Sequence, residues 1–181
     1  MKLHKIINFD ELRPALNHVY IKDGFAVVTD SHILIKVPLS LIFSNNEKDS
    51  ALPNMFISQS DWAKIFGKKF QTYEFEYKNE YLTVHLHRNT GICDKVIIKP
   101  LLEKDADFRP VNFGSVLPKD KDSEAVEDIG INAEMLNNIS IATEIKRFRL
   151  KFNGKDRAIF IIPVDTDYQN IKIILMPILG I

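Results

Sequence analysis

The sequence is short of several things, and each shortage excludes a class of protein. It has one cysteine, Cys93, so no internal disulfide can form and no CxxC pair is present for redox chemistry or zinc. Its 7 glycines are scattered, and none belongs to a loop that could cradle a nucleotide phosphate. An excess of one charge is lacking too. The 24 basic and 24 acidic side chains cancel, so no global field draws the molecule to nucleic acid or to an anionic membrane. Any DNA contact must be local. The longest apolar run, Ile173 to Ile181, is broken by Pro177 and is too short to span a bilayer. Met1 to Asp10 hold no uninterrupted apolar stretch of signal-peptide length, so the expected location is the cytoplasm, with no membrane role. No cofactor is expected.

What is present fits a folded α+β protein. At 181 residues and 45% hydrophobic, the chain has material for one domain or one and a fraction. Ser44 to Ser50 and Lys119 to Asp128 are polar and charged and read as loops, the second being the better boundary. Between them one order of elements recurs. Phe9 to Asn17 is a short helix candidate limited by Pro14, followed by strands at Val19 to Ile21, Phe25 to Val28 and Ile33 to Val37, with Asp23-Gly24 as a hairpin turn. Met55 to Ile57 begins a second pass. Ser58 and Asp61 have capping-box-like spacing, and Trp62, Ile65 and Phe66 share a helical face. Tyr73, Phe75 and Tyr77, then Leu82, Val84 and Leu86, alternate about a turn at Lys78-Asn79, and Cys93 to Lys99 add a strand. The third pass opens at Ile129 to Ile131, with Asn132 capping a helix striped by Met135, Leu136 and Ile139. Alternating Phe148, Leu150 and Phe152, an Asn153-Gly154 turn, Ala158 to Ile162 and Ile171 to Met176 complete it.

These residues resemble a family: the beta subunit of bacterial DNA polymerase III, the replicative sliding clamp. His18 to Lys36, with Asp23-Gly24 and Val28-Thr29-Asp30-Ser31-His32-Ile33-Leu34, is similar to the family hairpin that ends in Ala-Thr-Asp-Gly-His-Arg-Leu. Ser31 replaces its glycine and Ile33 its arginine. Asp107-Phe108 through Val116-Leu117-Pro118 resembles the junction between the second and third clamp domains, and Ile173 to Ile178 resembles the last clamp strand, which ends in Met-Pro-Met. The resemblance implies a DNA-clamp fold of repeated strand-helix-three-strand units, with antiparallel sheets and helices on one face. It also implies a clamp-like domain with a shortened first half at 1–118 and a half clamp domain at 119–181. A ring of four chains is one implication and a small non-ring protein the other.

The implied function is a non-catalytic clamp-like protein that binds duplex DNA without sequence preference, peptides of replication or repair proteins, or both. By residue-wise transfer, Thr29, Ser31, His32, Leu34, Pro118, Ile174, Met176, Pro177 and Ile178 would wall a peptide groove. If so, Thr29-Asp30-Ser31-His32 and Met176-Pro177, almost at opposite ends of the sequence, must meet. Without the resemblance, Ile174, Met176 and Ile178 read as core and Asp30-Ser31 as a turn. Arg13 on the first helix, Lys64, Lys68 and Lys69 on or beside the second, and Lys146 with Arg147 at the end of the third are candidate phosphate contacts. Spaced lysines on a helix also read as a solvated face. The alternative function is a clamp-fold interaction module that does not encircle DNA.

Enzymatic readings have little support. Asp30, Ser31 and His32 have the residue types of a hydrolytic triad, but consecutive residues cannot place nucleophile, base and orienter together. His85 and His87, two apart on a strand with Cys93 and Asp94 nearby, begin a metal site that lacks an evident third ligand. A sheet edge is expected within 119–181, serving as an oligomer interface or blunted by Arg147, Arg149 and Lys151.

Overall fold

The alternations and caps take shape in a computed structural model that describes residues 1–44, 52–88, 91–116, 129–154 and 157–178. Strands β1 (His18–Lys22) and β2 (Phe25–Thr29) flank Asp23 and Gly24, whose φ angles of 49° and 79° are both left-handed. Such a turn carries the twist of the flanking strands. β3 (Ile33–Pro38) and β4 (Met55–Ser58) follow. Helix α1 (Gln59–Phe66) starts where Ser58 Oγ accepts the Asp61 amide at 3.1 Å and donates to Asp61 Oδ2 at 2.9 Å. A cap of this kind contributes about 1 kcal/mol. β5 (Thr72–Lys78), β6 (Tyr81–Arg88) and β7 (Gly91–Ile98) form a separate meander, and β8 (Leu101–Leu102) and the short α2 (Phe113–Val116) come next. Asn132 Oδ1 caps α3 (Ala133–Thr143) by accepting from the Glu134 amide at 2.9 Å. β9 (Phe148–Lys151), β10 (Ile159–Pro163) and β11 (Lys172–Leu175) close the described chain.

Eight strands make one antiparallel sheet in the order β8-β4-β1-β2-β3-β11-β10-β9. Its long-range join is β3 with β11, where Leu34 faces Ile174 and Ile33 faces Leu175. The first hairpin and the last strands therefore share one sheet. Side chains alternate across it. Val19, Ile21, Val28, Ile33, Ile35, Ile161, Ile173 and Leu175 turn to one face and join Trp62, Ile65, Phe66, Ile139 and Ala142 of α1 and α3 in the main core. Each such Val, Leu, Ile or Phe side chain contributes roughly 1.5–3 kcal/mol of burial free energy. Val27, Leu34, Ala158 and Ile174 form a smaller cluster on the other face, with Phe25, Phe113, Phe160 and Met176 against it.

Helices α1 and α3 lie on the main-core face, bolted together by the N-terminal segment. Trp62 Nε1 donates to the Met1 carbonyl at 3.2 Å, and Gln59 Nε2 donates to the carbonyls of His4 (3.1 Å) and Ile7 (3.0 Å). The Lys2 amide donates to Ala142 of α3 at 2.7 Å. These bonds satisfy polar groups that would otherwise be buried unpaired.

Three local expectations shift. Only Pro14–Asn17 of the first candidate helix is helical, as a single 3-10 turn. Asp10 Oδ1 accepts the amides of Leu12 (2.9 Å) and Arg13 (3.0 Å), and this local turn competes with helix before Pro14 removes a donor. The β5–β6 turn falls on Asn79 and Glu80, with φ of 52° and 65°, one residue later than expected. Glu144 adopts a left-handed φ of 62° and ends α3, so Lys146 and Arg147 lead into β9 instead of finishing the helix. β9 is the terminal strand of the sheet, with Arg149 and Lys151 exposed, a charged edge of the kind that discourages further strand pairing.

Candidate functional site

Beside the smaller cluster, on the face of the sheet away from α1 and α3, the β2–β3 connection is a tightly bonded loop. Asp30 Oδ1 accepts the amides of His32 (2.9 Å) and Ile33 (2.7 Å), and the Ser31 amide donates to Thr29 Oγ1 at 3.2 Å. Ser31 pays for this with a φ of +82°, a left-handed conformation that costs a residue with a Cβ about 1 kcal/mol. The end of β11 docks directly on the loop: the Met176 amide donates to the His32 carbonyl at 2.8 Å. The Thr29–His32 loop and Met176 thus meet, as the resemblance requires.

Around this junction lies a cleft of about 460 Å³. Thr29, Ser31, His32, Leu34, Ile174 and Met176 line it. Leu34 and Ile174 also belong to the smaller core cluster, so the reading of these residues as core and the reading as groove floor describe the same side chains. Pro177 is buried outside the lining, and Ile178 is 45% exposed and bridges to Gly130. Pro118 lies outside the described residues.

Two walls were not anticipated. Leu12 to Leu16 supply one, and Phe108, Arg109 and Val111 the other. Phe108 is held by rings: it stacks on His18 at 5.5 Å and meets Phe56 edge-on at 4.9 Å, while Phe113 tilts over Tyr20 at 5.8 Å. Such contacts anchor the segment before α2 across the sheet. The signal for it was the aromatic pair Phe108 and Phe113 in an otherwise polar stretch.

Arg13 proves to be a cleft residue and is not on a helix. Its Nε and Nη2 each meet Asp10 Oδ2 at 2.7 Å, and its Nη1 donates to Ser31 Oγ at 2.6 Å. The guanidinium holds the Asp10 carboxyl below its usual range. The Asp10 amide donates to Asn17 Oδ1 at 2.8 Å, and Asn17 Nδ2 donates back to the Asp10 carbonyl at 2.9 Å. The wall is therefore ordered before any ligand arrives.

The other cationic candidates scatter. Lys64 pairs with Asp61 at 2.6 Å within α1. Lys68 and Lys69 share with Lys2 and Glu144 a second cleft of about 360 Å³, between the N-terminal segment and the ends of α1 and α3. Lys146 is exposed beyond α3, and Arg147 pairs with Asp165. His87 Nε2 lies 3.4 Å from Glu74 Oε2, while His85 sits across from Glu74 and Lys95. The side chain of Cys93 lies outside the described residues. Among the described residues no three His, Cys, Asp or Glu side chains gather as a metal site, and no helix is long and apolar enough to cross a membrane.

No family model matches the sequence, and no curated protein does. Solved structures do. A Caulobacter crescentus beta sliding clamp superposes with a TM-score of 0.65 at 13% identity over 99% of this chain. This chain has the DNA-clamp fold. The clamp of Helicobacter pylori bound to a DNA ligase peptide matches with a TM-score of 0.64 at 12% identity. The Bartonella birtlesii clamp, DNA polymerase III subunit beta, bound to griselimycin, matches at 0.61 and 14%. Both matches cover 99% of this chain, which spans 62–64% of the length of these three clamps. At such identities the likeness is one of fold.

Proposed function

We propose that this clamp-fold chain is a non-catalytic binding scaffold whose outer cleft takes an extended hydrophobic peptide from a partner protein. The observation that supports this most is the junction of His32 with Met176, which puts an apolar floor and a ready-ordered wall in one groove. A few large anchors filling such a groove give most of the affinity of a peptide complex. Met176 adds an adaptable surface. In the Helicobacter pylori clamp the bound partner is a DNA ligase peptide, and a replication or repair peptide is the corresponding choice here. In this reading residues 1–118 are one clamp domain with a shortened first half, and 119–181 are half of the next, their sheets continuous through β3 and β11.

A labelled clamp-binding peptide is expected to bind with micromolar or tighter affinity, and Met176→Asp to abolish binding while the far-ultraviolet spectrum is unchanged. Absence of binding at high protein concentration would remove the groove function and leave the fold.

A second reading, duplex DNA along the helix face, draws on Lys2, Lys68 and Lys69 around one cleft. So few phosphate contacts imply weak, salt-sensitive, sequence-independent binding. Retention on DNA-cellulose at low salt that is lost at moderate salt, together with a multimer by light scattering, would favour a ring around DNA. A monomer without retention would favour the interaction module.

A further inference from the structure

The outer face of the sheet carries a row of cations that takes no part in the cleft. Strand alternation puts Lys36 of β3 on that face with Leu34, and Lys172 of β11 there with Ile174, because Leu34 and Ile174 belong to the smaller cluster. Arg149 and Lys151 of β9 share it, since Leu150 between them packs on the main core. Lys36 pairs directly with Lys172 across the β3–β11 join. The register of Ile161 with Ile173 then brings Ile162 beside Lys172, and Ile162 pairs with Arg149. At about 4.8 Å per strand, the row from Lys36 to Arg149 spans roughly 14 Å.

The outward positions of β3, β11, β10 and β9 hold no aspartate or glutamate among the described residues, although acidic and basic side chains balance over the whole sequence. Asp23, in the β1–β2 turn, borders the Lys36 end of the row. Asp165 and Glu103 pair with Arg147 and Lys22 instead. Lys36 Nζ lies 3.9 Å from the centre of the Phe25 ring, a contact that holds the cation in place. Like charges set directly opposite each other weaken an antiparallel pair. On the terminal strand β9 such charges deter further pairing, but β3 and β11 each have a neighbour on both sides. Edge protection therefore gives Lys36 and Lys172 no role, whereas an anion lying along the row would relieve their repulsion. Ile162 lies within the row and Phe160 beside it, paired with Lys151, and both are half-buried. Cations interleaved with an aromatic side chain on an open sheet suit a single nucleic-acid strand, whose phosphates meet the cations while its bases rest on the apolar side chains. A duplex keeps its bases stacked inside and offers such a face only phosphates.

We propose that this row, Lys36, Lys172 and Arg149 with Phe160 beside it, binds single-stranded nucleic acid without sequence preference. The row lies on the opposite side of the sheet from α1 and α3 and outside the peptide cleft, so it is independent of both readings given above. The test follows the anisotropy of a labelled oligothymidine, of the same strand annealed to its complement, and of a labelled oligoglutamate, each titrated with the full chain over a range of salt. The wild type is expected to bind the single strand about fivefold more tightly than the oligoglutamate, the contribution of one modest stacking contact, and more tightly than the duplex. Lys172→Gln and Arg149→Gln should each weaken single-strand binding about fivefold at roughly 0.1 M salt and lower the slope of log K against log salt by about 0.7. Phe160→Leu should weaken it with the slope unchanged, and Lys78→Gln, on the separate meander, should change neither. Lys172→Gln should melt no lower than the wild type, because it removes a repulsion. No binding of the single strand at low salt would overturn the proposal. So would a slope that Lys172→Gln and Arg149→Gln leave unchanged, or one that Lys78→Gln lowers as much. Duplex or oligoglutamate bound as tightly as the single strand, with Phe160→Leu silent, would assign the face to duplex DNA or to an acidic protein segment and overturn the single-strand assignment.

Discussion

Leu12 offers the cleanest separation of binding from folding. It lines the cleft, yet 93% of its surface is exposed, on a loop whose shape is set by Asp10 and Asn17 and not by the leucine itself. Replacing it with serine should change folding stability by no more than about 0.5 kcal/mol, the usual range for surface positions. A peptide in the groove would cover the side chain in part. Full burial of a leucine contributes roughly 1.5–3 kcal/mol, so half-burial gives about 1 kcal/mol, or about fivefold in Kd. Ile174 is the contrasting position. It is 1% exposed at the cleft floor, and Ile174→Ala should cost about 2–5 kcal/mol of stability. Urea denaturation and fluorescence anisotropy on the same samples measure both quantities. If Leu12→Ser bound peptide as tightly as the wild type, the ligand would not pass over the 12–16 wall. If Leu12→Ser instead unfolded at markedly lower urea, the reasoning from exposure would be wrong.

Two further outcomes follow from the geometry. Ser31→Gly should leave the protein as stable as the wild type or more so, because glycine adopts the φ of +82° without strain, whereas Ser31→Val should lose about 1–2 kcal/mol; equal denaturation midpoints for the two variants would show that the backbone angle is not what matters there. His4 is 7% exposed, and burial lowers its pKa from the ordinary 6.5, so the folded protein keeps it neutral while the unfolded chain takes up a proton below pH 6.5. Its contribution is intact above that value and is lost as pH falls from 6.5 toward the folded pKa. Denaturation midpoints at pH 5 and pH 7 should therefore differ more in the wild type than in His4→Leu.

Much of the fold could be read from short-range chemistry. Asp23-Gly24 fixes the first hairpin, Ser58 with Asp61 and Asn132 with Glu134 start the two long helices, and the alternation of Phe75 and Tyr77 with Leu82, Val84 and Leu86 gives the meander. The misreadings were local as well. Asp10 can cap a helix or close a turn of its own, and only the surroundings decide between them. Six of the nine expected groove residues line the cleft, Pro177 and Ile178 do not, and Pro118 lies outside the described residues. Alternation assigns a strand residue to a face, but it does not say what covers that face.

By itself the sequence determined most of the strands, the starts of the two long helices, and which side chains in each strand share a face, because these depend on neighbours within a few residues. It also carried the expectation that Thr29–His32 and Met176 should meet. The tertiary structure alone decided that β3 pairs with β11, that Leu12 to Leu16 and Phe108 to Val111 wall the cleft, and that Arg13 is tied to Ser31. Those facts depend on contacts between segments remote in sequence, and no local propensity encodes a partner so far away.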